Sequence, residues 1–167
     1  MRANVLAPVV AGALLILATA TDAATRTTTF SVNAQVAANC LVSANAINFG
    51  SYDGTVALAA DGAVKVRCSS GTPFSIALSA GGGSFGQRLL TDGSGHSLQY
   101  NLYTASNLGT VWGDGSSGTG TLADVGAGMS ETKEISKTVY GQLVNSAANQ
   151  DAPAGNYSDT ITVTVTY

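Results

Sequence analysis

The sequence predicts an all-β domain of the sandwich or barrel class, and three observations carry the prediction. Short runs rich in Val, Ile, Thr and Tyr recur between clusters of Gly, Asn, Asp and Ser. No stretch beyond residue 20 has a convincing helical period. The chain closes on a strict alternation of β-branched residues, NYSDTITVTVTY. Many short strands with regular turn signals pack as sandwiches or barrels.

The first twenty residues are excluded from the fold. Met1 and Arg2 give a positive start, Val5 to Leu17 is an uncharged apolar run, and Ala18-Thr19-Ala20 offers a small-residue cleavage site. Residues 1–20 are therefore expected to be a secretory signal peptide. The run is shorter than the roughly 20 apolar residues of a membrane span, so no membrane anchor is expected after cleavage. The remainder is the right size for one domain.

The first element after the cleavage site is TTTFSVNAQVAANC. Phe30, Val32, Ala34 and Val36 alternate with Ser31, Asn33 and Gln35, which is the pattern of a strand with one apolar face. Next come AINFGSY, GAVKVRC, PFSIALSA, SLQYNLYT and TVWG, each read as a strand. In ISKTVYGQLV, Ile135, Val139 and Leu143 recur every four residues and fit both periods. Thr138, Val139 and Tyr140 favour extended backbone, so it is assigned as strand. The Gly-rich stretches SAGGGSFG and WGDGSSGTGTLADVGAG are read as loops, because glycine supplies the positive φ that tight turns need.

Composition narrows the function. Charged residues are only 10% of the chain, with 7 Lys and Arg against 10 Asp and Glu. Such a surface offers little to a phosphate backbone or an anionic membrane, so nucleic acid is not an expected partner. The two cysteines, Cys40 and Cys68, lie in strand-like surroundings, and export favours a disulfide between them because only one pairing exists.

Several stretches imitate catalytic or binding motifs. Gly82-Gly83-Ser84-Phe85-Gly86 fits G-x-S-x-G, but a nucleophile elbow needs a helix after the serine and a histidine beyond an acid. Here QRLLTDGSG follows, and the single histidine, His96, shares a short loop with Asp92. Ser130-Glu131-Thr132-Lys133 matches S-x-x-K without its two supporting motifs. One His and two bonded Cys cannot build a zinc tetrahedron, and Asp114 and Asp124 lack the spacing of a calcium loop. Asn156-Tyr157-Ser158 fits the glycosylation sequon and is read as coincidental. Trp112 is read as core rather than as a sugar-stacking platform. No enzymatic activity, cofactor or metal is expected.

The two ends of the chain are more informative. In the closing stretch Tyr157, Ile161, Val163, Val165 and Tyr167 share one parity and four threonines take the other. A terminal strand free of Lys and Pro leaves an open pairing edge unless something covers it. The first strand can fold back beside the last one in the same molecule, or add to that of another copy. The second contact is heterologous and propagates into a fibre. The residues alone leave both arrangements open.

The stretches CLVSANAINFGSYDG, VKVRCSSGTPFSIALSAGG, LQYNLYTASNLGTVWGDG, TVYGQLV and PAGNYSDTITVTVTY, in this order, resemble the spore coat protein U family, which includes the pilins of archaic chaperone-usher pili. The resemblance runs from about Phe30 to Tyr167. It implies an incomplete immunoglobulin-like sandwich, residues 37–167, that lacks its last strand. A periplasmic chaperone lends one, and at an outer-membrane usher the N-terminal strand of the next subunit replaces it. On this chain the donor strand falls in residues 21–36, with Phe30, Val32, Ala34 and Val36 as inserted side chains and Thr28 as a weaker one. Ile161, Val163 and Val165 border the acceptor cleft, the Tyr167 carboxylate is gripped by the chaperone, and Cys40 and Cys68 carry the disulfide. The implied role is a shaft or adaptor subunit of a surface pilus serving adhesion or biofilm formation. The other readings are a self-complemented monomer, as a coat component or a small carbohydrate-binding module using the Trp112 to Gly120 loop, and, third, an esterase built on Ser84.

Overall fold

The structure, a computed structural model, describes residues 22–167, so the expected signal peptide lies outside the described residues. Residues 36–167 form one compact unit. Its strands are β1 (Cys40–Asn45), β2 (Leu58–Cys68), β3 (Pro73–Leu78), β4 (Arg88–Thr91), β5 (Ser97–Tyr103), β6 (Leu122–Val125), β7 (Ile135–Leu143) and β8 (Val163–Thr166). They make two antiparallel sheets, a five-stranded one in the order β1-β2-β7-β5-β4 and a three-stranded one in the order β6-β3-β8.

Each sheet turns its alternate side chains to a shared core. Val64, Val66 and Cys68 of β2, Phe74, Ile76 and Leu78 of β3, and Leu98, Tyr100 and Leu102 of β5 are all buried, as the period of two requires. ISKTVYGQLV is a strand, with Val139 and Leu143 in the core. Trp112 is fully buried and its indole N–H donates to Ile76 O at 3.1 Å. Its backbone N–H donates to Leu102 O, while Gly113 O accepts from Leu78 N–H. Residues 111–113 thus stitch the two sheets together through isolated bridges instead of forming the strand expected for TVWG. Trp112 is core, as read from the sequence, and does not present its face to a sugar.

Three further expectations need correction. Residues 46–52 form no strand, although Ile47, Phe49 and Tyr52 are half-buried; their alternation is real, but no neighbouring strand pairs with their backbone. Two four-residue strands are unexpected: β6 lies in a stretch read as loop, and β4 in one left unassigned. The helix-free expectation misses two short pieces, a 3-10 turn at Glu131–Lys133 and α1 (Ala147–Gln150). Helix α1 starts where the Ser146 side chain accepts from Asn149 N–H. The buried Asn149 amide then holds it on β5 through the N–H and carbonyl of Gln99.

Cys40 and Cys68 are directly opposite in the β1–β2 ladder and are joined by a disulfide. That bond fixes the outermost strand of the larger sheet to its neighbour.

Candidate functional site

The closing segment crosses from one sheet to the other. Ser158 exchanges backbone hydrogen bonds with Thr91 of β4, each 2.9 Å, and four residues later Ser79 N–H, just past β3, donates to Thr162 O at 2.9 Å. β8 then continues along β3 with Val163 opposite Leu78 and Val165 opposite Ile76. Half-burial continues at Tyr157, Ile161, Val163 and Val165 throughout this crossing. The predicted alternation therefore holds beyond the four ladder residues, and Tyr167, past the last pair, is 57% exposed.

Ladder parity decides what β8 leaves open. In an antiparallel pair, alternate residues direct their N–H and C=O to opposite sides of the strand. Thr162 faces Ser79, so Thr162, Thr164 and Thr166 spend their backbone groups on β3. Val163 and Val165 turn theirs outward, to an edge that no other strand among the described residues covers.

The same valines point their side chains into the sandwich beside an apolar groove of about 310 Å³. One wall is Ile161 and Val163; the other is Ala44 to Ile47, at the end of β1. The floor is Val64, Leu78, Leu102 and Val139. Val42, on the inward parity of β1 and opposite the buried Val66, is nonetheless 46% exposed. A second, adjoining cavity of about 560 Å³ shares Ile47, Phe49 and Leu90 with the first. The expected cleft residues Ile161 and Val163 thus line the groove; Val165 is half-buried on the same face, packed against the core.

The expected donor residues Thr28, Phe30, Val32, Ala34 and Val36 lie in chain without helix or strand. All five are exposed, and Phe30, Val32 and Val36 are 87%, 84% and 88% exposed. Large apolar side chains at regular spacing and this exposed are unusual in a lone folded chain.

Asp159 sits at the crossing. Its carboxylate accepts from Tyr100 O–H at 2.7 Å and from Gly82 N–H at 2.9 Å. A Cβ at Gly81, where φ is +64°, would collide with this carboxylate, so the loop can approach only as glycine. Burial, together with the Asp159 hydrogen bond, holds the Tyr100 phenol well above its ordinary range. The phenol therefore remains a donor across physiological pH. Tyr157 O–H donates to Pro153 O at 2.8 Å and closes the preceding turn. PAGNYSD is thus a device for delivering the chain to β8. Sequence reasoning noticed the motif, but missed Asp159, Tyr100 and Phe49 as parts of the groove.

The catalytic look-alikes have local explanations. Ser84 exchanges backbone hydrogen bonds with Gln87 across a tight turn, whereas His96 pairs with Asp92 at 2.7 Å in the β4–β5 turn. Ser130 Oγ lies against Thr132 Oγ1. Asp114 accepts from Ser116 N–H within its own turn, and Asp124 pairs with Lys137.

The chain matches the Spore Coat Protein U domain over residues 26–164 and belongs to that family. It is 32% identical over 180 residues to Protein U of Myxococcus xanthus, covering 96% of each. Among solved structures it is similar to the CsuC-CsuE chaperone-tip adhesion subunit pre-assembly complex from the archaic chaperone-usher Csu pili of Acinetobacter baumannii. That match has a TM-score of 0.54 and 25% identity, and covers 79% of this chain and 40% of the other.

Proposed function

We propose that this protein is a structural, non-enzymatic subunit of a surface pilus of the chaperone-usher type. Subunits chain head to tail when residues 28–36 of one copy add as a strand to β8 of the next. The observation that carries this reading is the coincidence at Val163, whose backbone groups face the open edge while its side chain lines the groove, with Val165 repeating the same parity one step on. An added strand with alternating apolar residues meets both needs at once. Thr28, Phe30, Val32, Ala34 and Val36 supply that alternation, and residues 37–167 supply the acceptor.

The magnitudes suit a durable link. Burial of Phe30, Val32 and Val36 at about 1.5–3 kcal/mol each contributes roughly 5–9 kcal/mol before entropy costs. Membership of the family and likeness to a chaperone-bound pilus subunit support export through the periplasm, with a chaperone gripping the Tyr167 carboxylate and an usher exchanging its strand for a sibling's. Adhesion or biofilm formation is the role such a polymer serves.

Deletion of residues 21–32 tests this. The truncated subunit should still bind its chaperone yet terminate chains, leaving no polymer ladder on a gel of the exported material. An undiminished ladder would reject the proposal.

A further inference from the structure

An apolar groove open to water should narrow as its walls close on each other, because burial of apolar surface is favourable. Something must hold Ala44 to Ile47 apart from Ile161 and Val163. Three side chains span that distance at the end of the groove nearest the sheet crossing. Phe49 is seated on β7, where a Cβ at Gly141 would approach its ring to 3.1 Å. Beside it, a Cβ at Gly62 of β2 would meet Ile47 at 2.6 Å. The two glycines therefore form a socket that only the missing side chains allow.

Phe49 meets Tyr100 edge to face, with ring centroids 6.0 Å apart and an interplanar angle of 65°. Tyr100 donates to Asp159 at 2.7 Å, and Asp159 lies two residues before Ile161. The contacts run without a break from the segment after β1 to the start of the β8 wall.

We propose that Phe49, Tyr100 and Asp159 form a bracket that sets the width of the groove and holds it open before a strand arrives. They are positioning residues for strand capture, an inference that rests on the proposed function. A bracketed groove is already competent when the donor segment meets it. Without the bracket only a fraction of molecules is open, and capture slows by that fraction.

The test uses the subunit lacking residues 21–32, whose compact unit at residues 36–167 is intact and whose siblings carry no donor strand to fill the groove, with a fluorescent peptide of residues 26–38 followed by anisotropy after mixing. Tyr100→Phe keeps the ring contact and removes the hydrogen bond to Asp159; Asp159→Ala removes it from the other side and serves if Tyr100→Phe does not fold. Each should slow association about tenfold, as expected for the loss of one hydrogen bond to a charged group. Dissociation of the seated peptide should change by no more than about threefold. The double variant should be no slower than either single one, since both break the same link. Trp112→Phe, which weakens the core away from the groove, should associate at the wild-type rate. Equal slowing by Trp112→Phe, or wild-type rates in both bracket variants, would overturn the bracket while leaving strand addition standing. Failure of the truncated subunit with an unaltered bracket to capture the peptide would remove the proposed function and the bracket with it.

Discussion

Arg88 is fully buried and has no carboxylate among its hydrogen-bond partners. Its guanidinium donates to Ser79 O at 2.8 and 3.2 Å, to Trp112 O at 2.7 Å and to Asn101 Oδ1 at 2.6 Å, and it stands 5.6 Å from the Phe85 ring centroid. Burial lowers its pKa, a shift that nearby Tyr100 and Asp159 oppose. Because Ser79 O is taken by Arg88, Thr162 N–H donates instead to Ser79 Oγ at 2.9 Å. The arginine therefore shapes the entry to β8 from inside the core. Arg88→Met would leave the Ser79 and Trp112 carbonyls without donors in a water-poor site, while Asn101 Oδ1 keeps only Leu102 N–H. Its urea midpoint should fall by the equivalent of about 3 kcal/mol with an unchanged slope. Trp112→Phe, which removes the indole hydrogen bond to Ile76 O and part of a fully buried ring, should cost about 2 kcal/mol by the same measurement.

At the scale of elements, β1 depends on its covalent link more than on burial. Most of its residues are exposed, and it pairs with β2 alone. Replacing both Cys40 and Cys68 by Ala should destabilise the domain by about 3–4 kcal/mol on the loop-entropy account. Hydrogen exchange should locate the earliest loss of protection in residues 40–45. Strands β2, β3, β5 and β7 were legible in the sequence because each alternates for six residues or more with its apolar set inward. β4 was not, because Arg88 occupies an inward position and masks the alternation. β6 is four residues long within a Gly-rich stretch, too short for any period to register. Residues 46–52 misled in the opposite sense. Their apolar spacing comes from packing Ile47 and Phe49 over Gly62 and Gly141, a contact that imitates a strand without its ladder. The groove-lining residues Ile161 and Val163 were legible as inward positions because they belong to a long alternation. Tyr100 and Asp159 were not, because a polar link between distant segments leaves no periodic trace.

For the molecule as a whole, acid should be tolerated until the carboxylates titrate. Asp53, Asp92, Asp114 and Asp124 are held below the ordinary carboxylate value by side-chain hydrogen bonds, from Thr55, His96, Ser116 and Lys137 respectively. A carboxyl with a depressed folded pKa contributes stability that is complete above its unfolded value and is lost as pH falls through the folded one. The urea midpoint should therefore stay level from neutral pH down to about 4 and decline below it. In Lys137→Met the decline should be shallower, because Asp124 loses its main partner.

The central claim is that β8 is completed by a sibling's leading segment. A photoreactive phenylalanine analogue at Phe30 of the exported protein tests it most directly. Illumination should give covalent products at multiples of the subunit mass, with Phe30 joined to residues 161–165 of a different chain. Products at a single subunit mass, with Phe30 joined to Val163 or Val165 of its own chain, would contradict the account and describe a self-complemented monomer.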